Sequence, residues 1–207
     1  MDDKETPKPR SGRPRGKRTD ATRNLILSTA ARQFMQHGYD KVSLQEVANQ
    51  CGVTKATLYH YFKDKGALFT ESILLMLRTA LARSEELIQG EPEFSMKLFK
   101  LACGLLRNSH VEFETMMRKA SAVLTKEQIT MIRNQEQLLH RLLAGVFQQA
   151  MDAGQIKKGN AMFLARAFAM LMLMRNQPEL AEGQLTPAEA ATEIVELFLM
   201  GLVPRQE

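Results

Sequence analysis

Ser43-Leu44-Gln45-Glu46-Val47-Ala48-Asn49-Gln50-Cys51-Gly52-Val53-Thr54-Lys55-Ala56-Thr57-Leu58-Tyr59-His60-Tyr61 holds two helix starts in quick succession. Ser43 is placed as an N-cap, and Glu46, three residues on, closes a capping box with it. That predicts a helix over Leu44 to Gln50, burying Leu44, Val47 and Ala48 and stopping at Cys51-Gly52. Thr54 offers the next N-cap, for a helix over about 55–61. Neither helix is long enough to persist alone, so both must pack on a neighbour, with Val53 and Leu58 supplying apolar contacts. Two short helices joined by a tight turn containing glycine are the pattern of a helix-turn-helix. An ordinary helical hairpin has the same spacing. The charge of the flanking sequence favours a DNA reader over it.

Upstream, Ile26, Ala30 and Phe34 recur at i, i+4, i+8 beside Leu27 and Ala31, which marks a first helix over about 20–37. Gly38 suits its C′ position and His37 its dipole. Residues 1–19 are rich in Pro and Gly and carry six Lys/Arg between Lys8 and Arg18 with no acid among them. They are expected to be a disordered basic tail. Downstream, Asp64 opens a fourth helix through Leu68, Ile73, Leu74, Leu77 and Leu81 to Ile88, ended by Gly90-Glu91-Pro92. Further helices are expected at about 94–108, 111–122, 125–152, 160–176 and 187–202. Thr125 and Gln128 form another capping box, and Pro187 stands at a first helical position. No strand-like alternation persists. The expected fold is all-α with about nine helices: a tail (1–19), a helix-turn-helix domain (20–65) and a helical body (66–207).

The chain has 207 residues, no Trp and 13 Met, with a net charge of +5. Residues 1–65 hold 13 Lys/Arg against 7 Asp/Glu, a net of +6, and residues 66–207 hold 15 against 16, a net of −1. A basic segment on a near-neutral body suggests a nucleic-acid module attached to something else. The longest apolar run, Ala167 to Met174, is far short of a membrane span. Neither a signal peptide nor a basic amphipathic anchor is recognisable. Cys51 and Cys103 fit no metal or CxxC spacing, so a reducing cytoplasm is the expected setting.

Residues 25–69 resemble the TetR family of bacterial transcriptional repressors. The resemblance is carried by Phe34-Met35-Gln36-His37-Gly38-Tyr39, by Val42-Ser43-Leu44-Gln45-Glu46-Val47-Ala48, by Cys51 through Phe62, and by Lys63-Asp64-Lys65-Gly66-Ala67-Leu68-Phe69. It implies an all-helical homodimer that binds a palindromic operator in double-stranded DNA and is released by a small-molecule effector.

A recognition helix enters the major groove by its N-terminal end. Lys55 can donate there to guanine O6 or N7, and Ala56 and Thr57 can pack on a thymine methyl. Gln45 matches a family position that touches bases, and its amide can pair with adenine. The hydroxyls of Tyr59 and Tyr61, with His60, can reach phosphates, although a tyrosine here also serves to cover a small core. Thr54 is expected to spend its hydroxyl on the cap. Lys65, at the start of the fourth helix, can hold a phosphate there or be a solvated charge. Arg13 and Arg15, flanked by Gly and Pro, suit a narrow minor groove; the other reading is a solubilising tail.

The body lacks a P-loop, a Gly-x-Gly and a Gly-x-Ser-x-Gly, and its histidines have no metal-ligand spacing, so no catalytic residue, cofactor or metal is expected. It is rich in Met, which either fills core or lines an adaptable apolar pocket. The resemblance places a pocket among the middle helices, and Phe113, Met116, Met117, Phe147 and Met170 are its candidate lining. Cys103 is expected to be a buried hydrophobe. The helices at about 160–176 and 187–202 are expected to form the homodimer, the second through Ala191, Ile194, Val195, Phe198, Leu199 and Leu202, unless that stripe packs internally. Two other functions compete with a repressor: an adaptor whose helix-turn-helix no longer binds DNA, and a helical enzyme with a DNA-binding appendage.

Overall fold

A computed structural model describes residues 15–107 and 113–202. Within them the chain forms α1 (Arg15–Lys41), α2 (Leu44–Gln50), α3 (Lys55–Tyr61), α4 (Lys65–Ile88), α5 (Phe94–Leu106), α6 (Phe113–Ala120), α7 (Lys126–Asp152) and α8 (Ala161–Leu171). A 3-10 segment (Met172–Asn176), α9 (Pro178–Ala181) and α10 (Pro187–Leu202) complete it. The all-α expectation stands, with one short helix more than foreseen. Pro178 at the first position opens α9 instead of merely ending the preceding element.

Local chemistry places the ends. Ser43 and Glu46 form the reciprocal capping box on α2, and Thr125 and Gln128 repeat it on α7. Asp64 caps α4 and Asn160 caps α8. Gly38 turns to φ 79°, which interrupts α1 so that Tyr39 and Val42 fold back into the core. At the other end α1 starts at Arg15, five residues ahead of the expected start at 20, so the expected tail is helical over 15–19. Arg13 lies outside the described residues, and of Arg15 only the helical backbone is described.

Two apolar cores share α4 and α7. The first joins α1, α2 and α3 to the first half of α4, α6 and the start of α7, through Ile26, Phe34, Leu58, Phe62, Phe69, Met116 and Ile132. Phe34, Tyr39 and Phe69 pack in mutual ring contact. The second core joins α5, the end of α7, α8 and α10 around Phe147, whose ring meets Phe94, Phe168 and Phe198. The first core crosses the expected boundary at residue 65: α6 lies on α1, so the body supplies part of the core that holds the helix-turn-helix. At the root of α4, a Cβ on Gly66 would come within 3.2 Å of the Leu124 side chain, which shows how closely this helix start meets the segment entering α7.

The stripe expected to bind a second subunit packs internally instead. Ala191, Ile194 and Val195 are buried within the chain, and Phe198 and Leu199 pack against the second core, because α10 lies along α5. The side chain of Leu202 is outside the described residues. The helix at 160–176 is not apolar-buried all round either: Phe163 and Met170 are 69% and 62% exposed. Among the described residues no helix is long and apolar enough to cross a membrane.

Candidate nucleic-acid interface

Leu58 and Phe62 are the anchors of α3: both are buried in the first core, which points the opposite face of the helix at solvent. That face carries Lys55, Ala56, Tyr59 and His60, all exposed. Thr54 accepts a hydrogen bond from the Thr57 amide at 3.0 Å. The two threonine hydroxyls lie 2.8 Å apart. Both are therefore engaged in holding the first turn, leaving the Thr57 methyl and the Ala56 methyl as its apolar surface. Lys55 Nζ stands 5.9 Å from the Tyr59 ring centroid, a cation–π distance that keeps the ammonium on the helix and in water. On α2, Gln45 is exposed and its amide donates to Asn49 Oδ1 at 2.8 Å, which orients the side chain along the helix.

Tyr61 and Lys65 are less free. Tyr61 is half-buried against the first core and edge-on to His60. Lys65 Nζ donates to the Asp40 carbonyl at 3.3 Å and lies 4.5 Å from the centroid of the Tyr39 ring. Burial pulls its ammonium below the ordinary lysine range, with Asp40 pulling the other way. Burial also raises the Tyr39 phenol, reinforced by Asp64 and Asp40. Lys119, from α6, pairs with Asp40 at 3.7 Å. This group of Tyr39, Asp40, Lys65 and Lys119 escaped sequence reasoning, because its members come from three separate segments and no local spacing links them. The ion pair of Arg23 with Glu71 then ties α1 to α4, and Arg23 also covers the Phe62 ring. The scaffold under α3 is thus clamped on both sides.

The five candidate ligand residues are not brought together. Met116 and Met117 are buried in the first core with Phe113 against it, Phe147 is the centre of the second core, and Met170 is on the surface. Their helical periodicity marked them as interior, but α6 turned its methionines toward α1 and not toward α7's far end. Cys103 is half-buried and burial raises its thiol, as an inert position requires. Among the described residues no group of three His, Cys, Asp or Glu side chains could hold a metal ion.

Comparison with known proteins agrees with this geometry. Residues 26–71 match the family described as bacterial regulatory proteins, tetR family. The chain is 38% identical over 69 residues to the HTH-type transcriptional regulator UidR of Escherichia coli K12, covering 33% of this chain and 35% of UidR. It thus spans about a third of the length of that curated relative. Solved structures extend the likeness. A chain from Mesorhizobium loti assigned to the TetR family superposes with a TM-score of 0.67 at 22% identity, over 90% of this chain and 99% of that one. The structure of AibR in complex with isovaleryl coenzyme A and operator DNA superposes with a TM-score of 0.64 at 25% identity, over 85% and 97%. The helix-turn-helix lies in the segment that matches the tetR family of bacterial regulatory proteins, and the helical body shares the fold of those solved structures.

Proposed function

We propose that the chain is a ligand-responsive transcriptional repressor, working in the cytoplasm, that binds a palindromic operator as a homodimer and is released by a small molecule with apolar character. The observation that carries the reading is α3: Leu58 buried, Thr54 and Thr57 locking the first turn, and Lys55, Ala56, Tyr59 and His60 presented together in solvent. A helix held so, with its N-terminal end open, suits the major groove. Lys55 and Gln45 are assigned to base edges, the Ala56 and Thr57 methyls to thymine, and Tyr59, His60, Tyr61 and Lys65 to phosphates. Arg13 and Arg15 are assigned to the adjacent minor groove. UidR is named a transcriptional regulator, and AibR was solved with both an acyl-coenzyme A and operator DNA; both names support the reading.

The dimer is assigned to the face that the monomer leaves uncovered. Phe163, Met170 and Met174 form a stripe along α8 and the 3-10 segment, and Leu197 and Met200 lie on α10 at 68% and 78% exposure. The Phe168–Phe198 ring contact holds the two helices side by side beneath it. Selection from random DNA by the full chain tests the proposal: it should recover an inverted repeat and bind it with a steep salt dependence. Recovery of no common sequence, with binding equal on all DNA, would refute it and leave an adaptor.

A further inference from the structure

On α7, the stretch between Ile132 of the first core and Leu143 of the second borders an open groove against α4, about 530 Å³ in volume. Leu74 is its buried wall, and Met131 and Leu138 stand in it 45% and 38% exposed. Asn134 and Gln135 add amides, and two guanidinium groups complete it: Arg78 from α4 and Arg141 from α7. Neither arginine forms an ion pair among the described residues, whereas Arg133 on the same helix holds both Glu114 and Glu136. Arg141 reaches the Gln137 amide oxygen at 3.5 Å, too long for a strong bond. Two cations from different helices thus line one concavity whose remaining wall is apolar and amide. The volume is that of an ordinary small-molecule site, and guanidinium groups suit planar or tetrahedral anions.

We infer that this groove binds a small anionic amphiphile, with a carboxylate, sulfonate or phosphate head between Arg78 and Arg141 and an apolar body on Leu74, Met131 and Leu138. The inference rests on the proposed repressor in one respect: the occupant is its effector. The place fits that role, since a ligand here bridges the two helices common to both cores, and α4 begins at Lys65 beside α3.

The probe is 8-anilinonaphthalene-1-sulfonate, compared with uncharged N-phenyl-1-naphthylamine, which has the same rings without the anion. The full chain should bind the sulfonate saturably, and the variant Arg78→Gln/Arg141→Gln should weaken it about tenfold or more while changing the neutral probe by less than about twofold. Circular dichroism verifies that the variant is folded, and each single variant gives an intermediate affinity. An unchanged sulfonate affinity in the folded double variant, or equal losses for both probes, overturns the inference. Binding is read without DNA, so failure of the repressor reading is seen separately, as wild type that selects no operator. With an operator in hand, the sulfonate should weaken wild-type DNA binding and leave the double variant's unaffected; release of both alike, or of neither, removes the effector role.

Discussion

Lys55, at the start of α3, and Lys65, at the start of α4, are the two cations of the proposed DNA face whose surroundings separate their roles. Lys55 is exposed and keeps only a cation–π neighbour, so Lys55→Ala should cost about 1–3 kcal/mol on the selected operator and little on unrelated DNA. Lys65 is held by the Asp40 carbonyl and the Tyr39 ring. Lys65→Ala should weaken all DNA alike and reduce the salt slope by about one unit. Anisotropy titrations at several salt concentrations on specific and random duplexes check the division; identical losses for both variants on every sequence would end it. Thr54→Ala removes the cap and the partner of the Thr57 hydroxyl, and should cost about 1 kcal/mol of stability, read as a Tm lower by about 2–4 °C. The caps on α2, α3, α4 and α7 were legible in the sequence because cap and partner lie within one turn. The Lys65 contact was not, since Asp40 is 25 residues away and only the packed fold brings them together.

At the scale of elements, most helix limits were legible and their partners were not. Periodicity states which face of a helix is apolar, never which neighbour covers it. α6 is the sharpest instance: Met116 and Met117 read as interior, and they are, but in the core that holds the helix-turn-helix. The helix is pinned from the other side by Arg133, whose guanidinium meets Glu114 with Nη2–Oε2 at 2.7 Å and lies over the Phe113 ring. α6 therefore couples α7 to α1. The Arg133 hydrogen bond holds the Glu114 carboxyl below its ordinary value of 4.5. Its contribution to stability is complete above that value and is lost as pH falls through the depressed one. Because both groups are partly exposed, the contribution is about 1 kcal/mol or less. Arg133→Ala should lower Tm slightly at pH 7, and the difference from wild type should shrink as the solution is taken below pH 4.5. Thermal melts across that range test it; a difference that grows in acid would mean the pair is not what Arg133 contributes. Met117→Asp, by contrast, places a charge in the first core and should cost several kcal/mol, about 3 or more, and abolish DNA binding with it.

At the scale of the whole molecule, the proposed dimer would cover the apolar face of α8 and α10, and the proposed effector would act on α3 through α4. The stripe that sequence periodicity offered for a dimer, Ile194, Val195 and Phe198, is spent on the second core; a solvent-facing Leu197 and Met200 break the usual reading of a single wide stripe, because α10 is apolar on two sides. Leu197→Glu/Met200→Glu should therefore yield folded monomers in sedimentation, whereas Phe198→Glu, against Phe147 and Phe168, should unfold the body. An intact dimer in the first variant would move the interface elsewhere. Such a dimer sets the distance between its two recognition helices, and half-sites in B-DNA demand a spacing of roughly 34–36 Å or a multiple. α4 touches both cores and starts beside α3, so a ligand that shifts it against α7 changes that spacing, and a change of a few ångströms loses register. The ligand must prefer the DNA-incompetent arrangement: tenfold release requires a preference of about 1.4 kcal/mol. Linkage then makes the effect reciprocal, so operator DNA must weaken ligand binding by the same factor. Calorimetry of the effector into free dimer and into dimer saturated with operator should give dissociation constants that differ by the factor seen in DNA release. Equal constants would leave the helical body a dimerisation scaffold with no part in induction.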